Sequence, residues 1–390
     1  MTMKRFTLLG IAFLILILPH TVSGQNETSR LKGYIQKRKA KKEKALEEGT
    51  MWISPIFGPG YTPELGFLVT VGGLITFKTN PNDTLIQRSS SNLNLAVTST
   101  GAIVASALPV TYWFKDKFRA EGELWYKDMP DHYFGVGYKT NSALTKDDSV
   151  TKYSRQWWMV KVRPMWQFTK NNFLGMVIDF NETVGYDVNP YMEYDPYIEE
   201  FGLENYNVGF GLILRHDSRD IPVNAWKGFF ADISATFYGK YFGAQNRYQV
   251  YQVDLRYYKT IHRKGMVLAG QAKSRVGVGD VPWGEVSMLG SPFDLRGYYW
   301  GQYRDKSMIY FIAEYRHTFL KKGSRDLSKS GVVGWIATGS IAPGWNEYTY
   351  WLPNFGIGYR YEIQPRMNVR LDLGFGKESR GIYFNFTEAF

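Results

Sequence analysis

From Met51 onward the chain repeats one local pattern, segments of about ten residues in which apolar and polar side chains alternate. In YQVYQVDLRYY, one face carries Tyr251, Val253, Leu255 and Tyr257 and the other Gln252, Asp254, Arg256 and Tyr258. In MNVRLDLGFG, Val369, Leu371, Leu373 and Phe375 oppose Asn368, Arg370, Asp372 and Gly374. Successive side chains of a strand leave opposite faces, so a period of two with one apolar and one charged face specifies a strand between two different environments. After Gly49 no uninterrupted apolar run reaches the roughly 18 residues that a membrane helix needs.

Two folds use such strands. A soluble sandwich turns the apolar face inward; a membrane barrel turns it to lipid and lines its lumen with the charged face. The aromatics, 17% of the 390 residues, favour the barrel, because a sandwich would place them in its core. Instead Tyr112-Trp113-Phe114, Trp157-Trp158 and Tyr298-Tyr299-Trp300 fall near strand ends, where an aromatic girdle would lie. Lys161, Arg163, Arg215, Asp217, Asp232, Asp254, Arg256, Glu314, Arg316, Arg360 and Asp372 are then lumen-facing. Strands are expected near 51–58, 64–78, 86–97, 101–114, 118–128, 151–168, 172–188 and 205–217. The series continues at 227–240, 247–262, 265–278, 307–320, 331–341, 351–363, 367–376 and 381–390, which makes about sixteen, an even number as in bacterial outer-membrane barrels. Tight turns at Lys115-Asp116-Lys117, Thr169 to Asn171, His262 to Gly265 and Gln364 to Arg366 share one side. The long connections 129–150, 189–204, 279–306 and 342–350 share the other. The fold class is therefore all-β, a transmembrane antiparallel β-barrel of residues 51–390. GIYFNFTEAF closes it, with Ile382, Phe384, Phe386 and Phe390 expected on one face and Glu388 interrupting that face.

The N-terminus has Lys4 and Arg5, an apolar core of about a dozen residues to Leu18 and a small-residue exit at Val22-Ser23-Gly24, the layout of a secretory signal cleaved near Gly24. The chain has no cysteine, so disulfides and thiolate metal sites are excluded. The net charge of +11 falls to +5 once Lys4, Arg5 and the excess of four in residues 25–48 are set aside. The charge is thus concentrated in RLKGYIQKRKAKKEKALEE, read as a solvated basic periplasmic linker or short helix over 25–50, with contact to anionic lipid headgroups as a second reading. A nucleic-acid partner is not expected.

Three stretches resemble chemical motifs. HDSRD at 216–220 offers His, Ser and Asp, but neighbours along a strand diverge, whereas a catalytic triad must converge; a turn is the better reading. The histidines at 20, 132, 216, 262 and 317 have no ligand spacing, so no metal or other cofactor is expected. Gly374-Phe375-Gly376-Lys377 ends a strand instead of opening a helix, unlike a phosphate loop.

HDSRDIPVNAWKGFF, DLRGYYWGQYRDKSMIYFIAEYR and NFGIGYRYEIQPRMNVRLDLGFG together resemble the motifs of the bacterial surface antigen family, the superfamily of outer-membrane barrels that contains BamA, TamA and FhaC. The resemblance is good over about residues 205–390 and weaker before. It implies a sixteen-stranded barrel whose long external loop, between the eleventh and twelfth strands, folds into the lumen. It also implies that Arg296, followed by Gly297 and Tyr298, anchors that loop by pairing with Glu314 on the wall, among Arg316, Arg360, Arg370 and Asp372. Two departures stand out. Ala337 occupies a position where the family often has an aspartate, and the stretch from Gln25 to Met51 is too short for even one of the periplasmic POTRA domains that precede the barrel in members that insert or export proteins.

The resemblance further implies a weak seam where first and last strands meet. Pro55 donates no ladder hydrogen bond, and the seam is expected between about Met51 to Phe57 and Ile382 to Phe390, with Pro55, Phe384, Phe386 and Phe390 at it. The function expected is membrane protein or lipid insertion or transport through that seam. A passive solute channel is the alternative, and mixed-sign lumen charges argue against a wide pore. An outer-membrane enzyme is not expected. The partners expected are outer-membrane lipid and a separate periplasmic or membrane protein or a second copy of the chain.

Overall fold

The alternating segments become the strands of one closed barrel in the computed structural model, which describes residues 25–83, 86–364, 366–377 and 379–390. The signal segment, residues 1–24, lies outside the described residues. Gln25–Glu47 forms a helix, α1, rich in lysine and without a continuous apolar face. No described helix is long and apolar enough to cross a membrane.

The strands run β1 Trp52–Thr62, β2 Gly66–Phe77, β3 Ser89–Thr98, β4 Ile103–Trp113, β5 Phe118–His132, β6 Lys152–Thr169, β7 Asn172–Tyr186, β8 Glu204–Asp217, β9 Gly228–Tyr238, β10 Tyr248–Thr260 and β11 Met266–Gly279. A two-stranded hairpin, β12 Ser287–Leu289 and β13 Tyr303–Asp305, follows inside the next connection, and β14 Ser307–Leu320, β15 Leu327–Ala342, β16 Leu352–Gln364, β17 Met367–Gly376 and β18 Ser379–Phe386 complete the wall. Sixteen of these described strands form the barrel, each paired antiparallel to its neighbours in sequence, with β11 against β14 and β18 closing on β1.

The orientation of the alternation shows what surrounds the wall. Along β16, Asn354, Gly356, Gly358 and Arg360 are buried while Phe355, Ile357, Tyr359 and Tyr361 are exposed. Leu212 and Leu214 on β8 and Leu93, Leu95 and Val97 on β3 are likewise exposed. A continuous apolar exterior over a charged interior is the arrangement of a lipid-facing barrel. The interior charges meet as pairs: Lys161 with Asp179 at 2.8 Å, Arg215 with Asp232 and Glu121, Arg163 with Glu123, and Arg256 with Asp254 at 2.6 Å. Pairing offsets the cost of withdrawing each charge from water.

Three expectations need correction. Tyr298 and Tyr299 are not girdle residues: they lie in the lumen with the β11–β14 connection, where Tyr299 packs edge-on against His132. Trp157 also faces inward, its ring 5.2 Å from that of Trp125, whereas Trp158, Trp113 and Phe114 are exposed. The last strand stops at Phe386. Thr387 adopts a left-handed φ of 65°, and the following residues leave the sheet. Glu388 therefore does not interrupt an apolar outer face, and Phe390 is not at the seam: both are buried inside, Phe390 6.1 Å from the Tyr258 ring. A left-handed residue breaks strand alternation, so parity counted past Thr387 fails.

Candidate functional site

The β11–β14 connection, residues 280–306, enters the lumen, and its SPFDLRGYYWGQY stretch, residues 291–303, is held by two sets of contacts. The first centres on Arg296, which is completely buried. Its Nη2 donates to Glu314 Oε1 at 2.5 Å and its Nη1 to Asp372 Oδ2 at 2.9 Å, while the guanidinium carbon lies 3.6 Å from the centroid of the Trp335 ring. The planar guanidinium suits this task, because its fork can serve two carboxylates while its face stacks on an indole.

Strand periodicity positions the wall side of the network. Glu314 and Arg316 on β14, Arg360 on β16, and Arg370 and Asp372 on β17 are all lumen-facing. Asp372 also accepts from Arg360 at 2.5 Å and from Arg370 at 3.2 Å, and Glu314 from Arg316 at 3.0 Å. The C-terminal residues extend it: Arg360 Nε donates to Glu388 at 2.8 Å and Arg316 Nη2 to the Phe390 carbonyl at 3.1 Å. Four arginines thus face three carboxylates. Part of the remaining donor capacity goes to carbonyls, as in Arg370 Nη2 to Pro292 O at 2.9 Å, while Arg296 Nε, Arg316 Nη1, Arg360 Nη2 and Arg370 Nε have no hydrogen-bond partner among the described residues.

Backbone contact brings the loop this close. A Cβ on Gly374 of β17 would lie 2.1 Å from the Arg296 carbonyl oxygen, and one on Gly297, whose φ is +123°, would lie 2.8 Å from the Gly374 carbonyl carbon. Two glycines let loop and wall touch without side chains between them. Gly297 N donates to the Tyr383 hydroxyl at 2.9 Å, Tyr298 OH donates to Pro353 O at 2.7 Å, and Asn354 Nδ2 donates to Arg296 O at 2.5 Å. Ala337 supplies no acid. It lies opposite Asn354 in the β15–β16 ladder, and the second carboxylate on Arg296 comes from Asp372 on β17.

Sequence reasoning missed the second set of contacts. Arg304 is buried, donates through Nη2 to His132 O at 3.0 Å and through its backbone N to Asn141 Oδ1 at 2.9 Å. Trp300 N donates to Glu64 in the β1–β2 turn at 3.1 Å. Burial pushes the Glu64 carboxyl up to about 7. These partners are 163 and 236 residues apart in the chain, and no spacing rule links them.

HDSRD spans the end of β8, with His216 and Asp217, and the β8–β9 turn that follows. Asp217 accepts from Arg219 at 2.9 Å, Asp220 from Arg366 at 2.7 Å, and the Ser218 hydroxyl donates to Phe229 O at 3.1 Å. The serine proton is thus used to brace the turn. Among the described residues no group of three or more His, Cys, Asp or Glu could hold a metal.

At the seam, β1 and β18 register at Tyr61 opposite Phe384. The Phe386 ring packs over Gly58, where an added Cβ would meet it at 3.1 Å. That register, continued, would set Pro55 opposite Phe390, but the sheet has ended and Phe390 is inside. The Tyr61–Phe384 pair lies outside the expected stretch Met51 to Phe57, because β1 runs on to Thr62.

Residues 69–385 match the Omp85 superfamily domain. The chain belongs to the Omp85 superfamily. Among solved structures, this Omp85 barrel is similar to BamA from Haemophilus ducreyi lacking POTRA domains 1–3, with 14% identity and a TM-score of 0.59 over 86% of this chain and 69% of that one. It is also similar to CdiB from Acinetobacter baumannii (11%, TM-score 0.53, 86% and 59%) and CdiB from Escherichia coli (10%, 0.55, 86% and 62%). At these identities the likeness is one of fold, and the chain spans less than two thirds of either CdiB. No curated protein matches it in sequence. The fold and the family make it an outer-membrane barrel.

Proposed function

We propose that this Omp85 barrel acts in the insertion or transport of membrane proteins or lipids, by parting of β1 from β18 while the lumen stays closed by the loop anchored at Arg296. The observation that carries this reading is the make-up of the seam: β18 is 8 residues long, Ser379–Phe386, against 11 in β1, and Pro55 of β1 has no N–H to give to a ladder. Toward β17 the β18 ladder runs from Val369 opposite Phe386 to Gly376 opposite Ser379; toward β1 the register is set at Tyr61 and Phe384. A short last strand and a missing donor limit the ladder that opening has to break, each bond of which contributes roughly 1 kcal/mol net. A lipid-facing opening suits cargo with apolar surface, which a solute pore does not.

The test is a Tyr61→Cys/Phe384→Cys pair, whose disulfide would be the only one in a chain without cysteine. In proteoliposomes, oxidation is expected to abolish insertion or transfer of a barrel or lipid cargo, and reduction to restore it. Unchanged activity after complete oxidation would sink the seam reading. Steady large single-channel conductance of the intact protein would favour a passive solute channel instead.

A further inference from the structure

A chamber of about 530 Å³ lies in the lumen between the inserted loop and the wall, beside the β1–β2 turn and Asn385 of β18. It is within the ~300–1,000 Å³ range of small-molecule sites. The charged groups that border it are of two kinds. Its four carboxylates are engaged: Glu123 with Arg163, Glu285 with Arg275 at 2.9 Å, Glu64 with the Trp300 amide at 3.1 Å, and Asp294 with the Gly290 and Ser291 amides at 2.9 and 2.7 Å. Lys161 and Arg275 are likewise paired, with Asp179 and Glu285.

Lys127 and Lys273 form no ion pair among the described residues. The Lys127 ammonium lies 3.8 Å from the Trp125 ring centroid, 4.9 Å from Trp157 and 5.0 Å from Trp300. Three rings hold the cation in place without neutralising it. A second observation points the same way. Trp125 Nε1, Trp157 Nε1 and Asn385 Nδ2, all on residues lining the chamber, are buried donors without an acceptor among the described residues. The four acids and four bases of the lining balance in number, but among the described residues Lys127 and Lys273 have no carboxylate within ion-pair distance, and the donors beside them have no acceptor. Unpaired donors at low dielectric carry a penalty that an acceptor-rich anion would remove. Leu65, Leu68, Met288, Phe293 and Met308 give the chamber an apolar part, beside the hydroxyls of Thr62, Ser287 and Ser291.

We propose that this chamber binds an anionic amphiphile, its phosphate or carboxylate head met by Lys127 and Lys273 and its apolar arm lying along Leu65, Leu68 and Met308. The proposal does not depend on opening of the β1–β18 seam. Native mass spectrometry of the full chain in neutral detergent tests it, with phosphatidylglycerol, phosphatidylcholine and inorganic phosphate as separate probes. Wild-type protein is expected to retain one phosphatidylglycerol at least tenfold more tightly than phosphatidylcholine. Lys127→Gln/Lys273→Gln should lose at least tenfold in that affinity. So should Met159→Trp, which fills the chamber and leaves both lysines; Lys321→Gln, in the β14–β15 turn, should not. Heat-modifiable gel mobility checks that each variant is folded. Equal retention of the two lipids, or phosphatidylglycerol binding unmoved by either chamber variant, would overturn the proposal. Binding of inorganic phosphate that depends on the lysines, without retention of phosphatidylglycerol, would also overturn it, by making the site one for a free anion.

Discussion

Replacing Arg296 by alanine tests how the loop is held. The guanidinium bridges Glu314 and Asp372 and stacks on Trp335 with no solvent exposure. Removing one partner of a buried ion pair costs roughly 3–5 kcal/mol, mainly because a charge is left without a partner. Here the carboxylates keep partners, Glu314 in Arg316 and Asp372 in Arg360 and Arg370. The lower end of the range, about 3 kcal/mol, is therefore expected, which is roughly a 100-fold rise in the undocked fraction. Arg296→Lys should fall between, because a point charge cannot fork to two acids. Hydrogen exchange read by mass spectrometry is the assay. In wild type the Gly297 amide donates to Tyr383 and the Tyr298 amide to Leu295 O at 3.2 Å, so both are protected. In Arg296→Ala they should exchange about 100-fold faster while β14 and β17 amides keep their protection. Unchanged exchange at 297 and 298 would refute the reasoning. So would simultaneous loss of protection in β17 and β18, since the arginine would then support the wall and not the loop.

Two further outcomes follow from the same contacts. Gly374→Ala should undock the loop without touching any charge, because the new methyl would sit 2.1 Å from Arg296 O; exchange in residues 295–302 should rise at least as far as in Arg296→Ala, with circular dichroism unchanged. Docking should also depend on pH through Glu64, whose carboxyl is raised by burial from 4.5 to about 7. The docked state binds the extra proton, so docking is strongest below about 4.5, weakens as pH rises to about 7 and is flat above, a total of at most about 3 kcal/mol. Glu64→Gln should flatten the pH profile of Trp300 amide exchange across that window; a persisting slope would assign it to another group.

Much of the fold was legible because strand alternation is a local signal. Each segment of about ten residues reports its own two environments, and the charged face of YQVYQVDLRYY or MNVRLDLGFG already says that the lumen is polar and the exterior apolar. The expected strand boundaries mostly lie within a few residues of the observed ones, and the tight turns at 115–117, 169–171 and 262–265 all connect neighbouring strands. Errors begin where alternation stops. Parity carried past Thr387 put Phe390 on the outer face, and strand-end position put Tyr298 and Tyr299 in a girdle, whereas Phe390 and Tyr298 are buried in the lumen and Tyr299 is half-buried there against His132.

By itself, then, the sequence determined the wall: which residues form strands, which face each presents, and that Glu314, Arg316, Arg360, Arg370 and Asp372 share the interior. Only the tertiary structure decided how that interior is filled. Arg296 reaches both Glu314 and Asp372, Glu388 turns in to Arg360, Arg304 docks on residues far back in the chain, and Lys127 and Lys273 form no ion pair with a carboxylate of the described residues. The reason is physical. A strand's two faces are set by residues two apart, but a loop inside a barrel is held by partners from strands far apart in the chain, brought together only when the sheet closes.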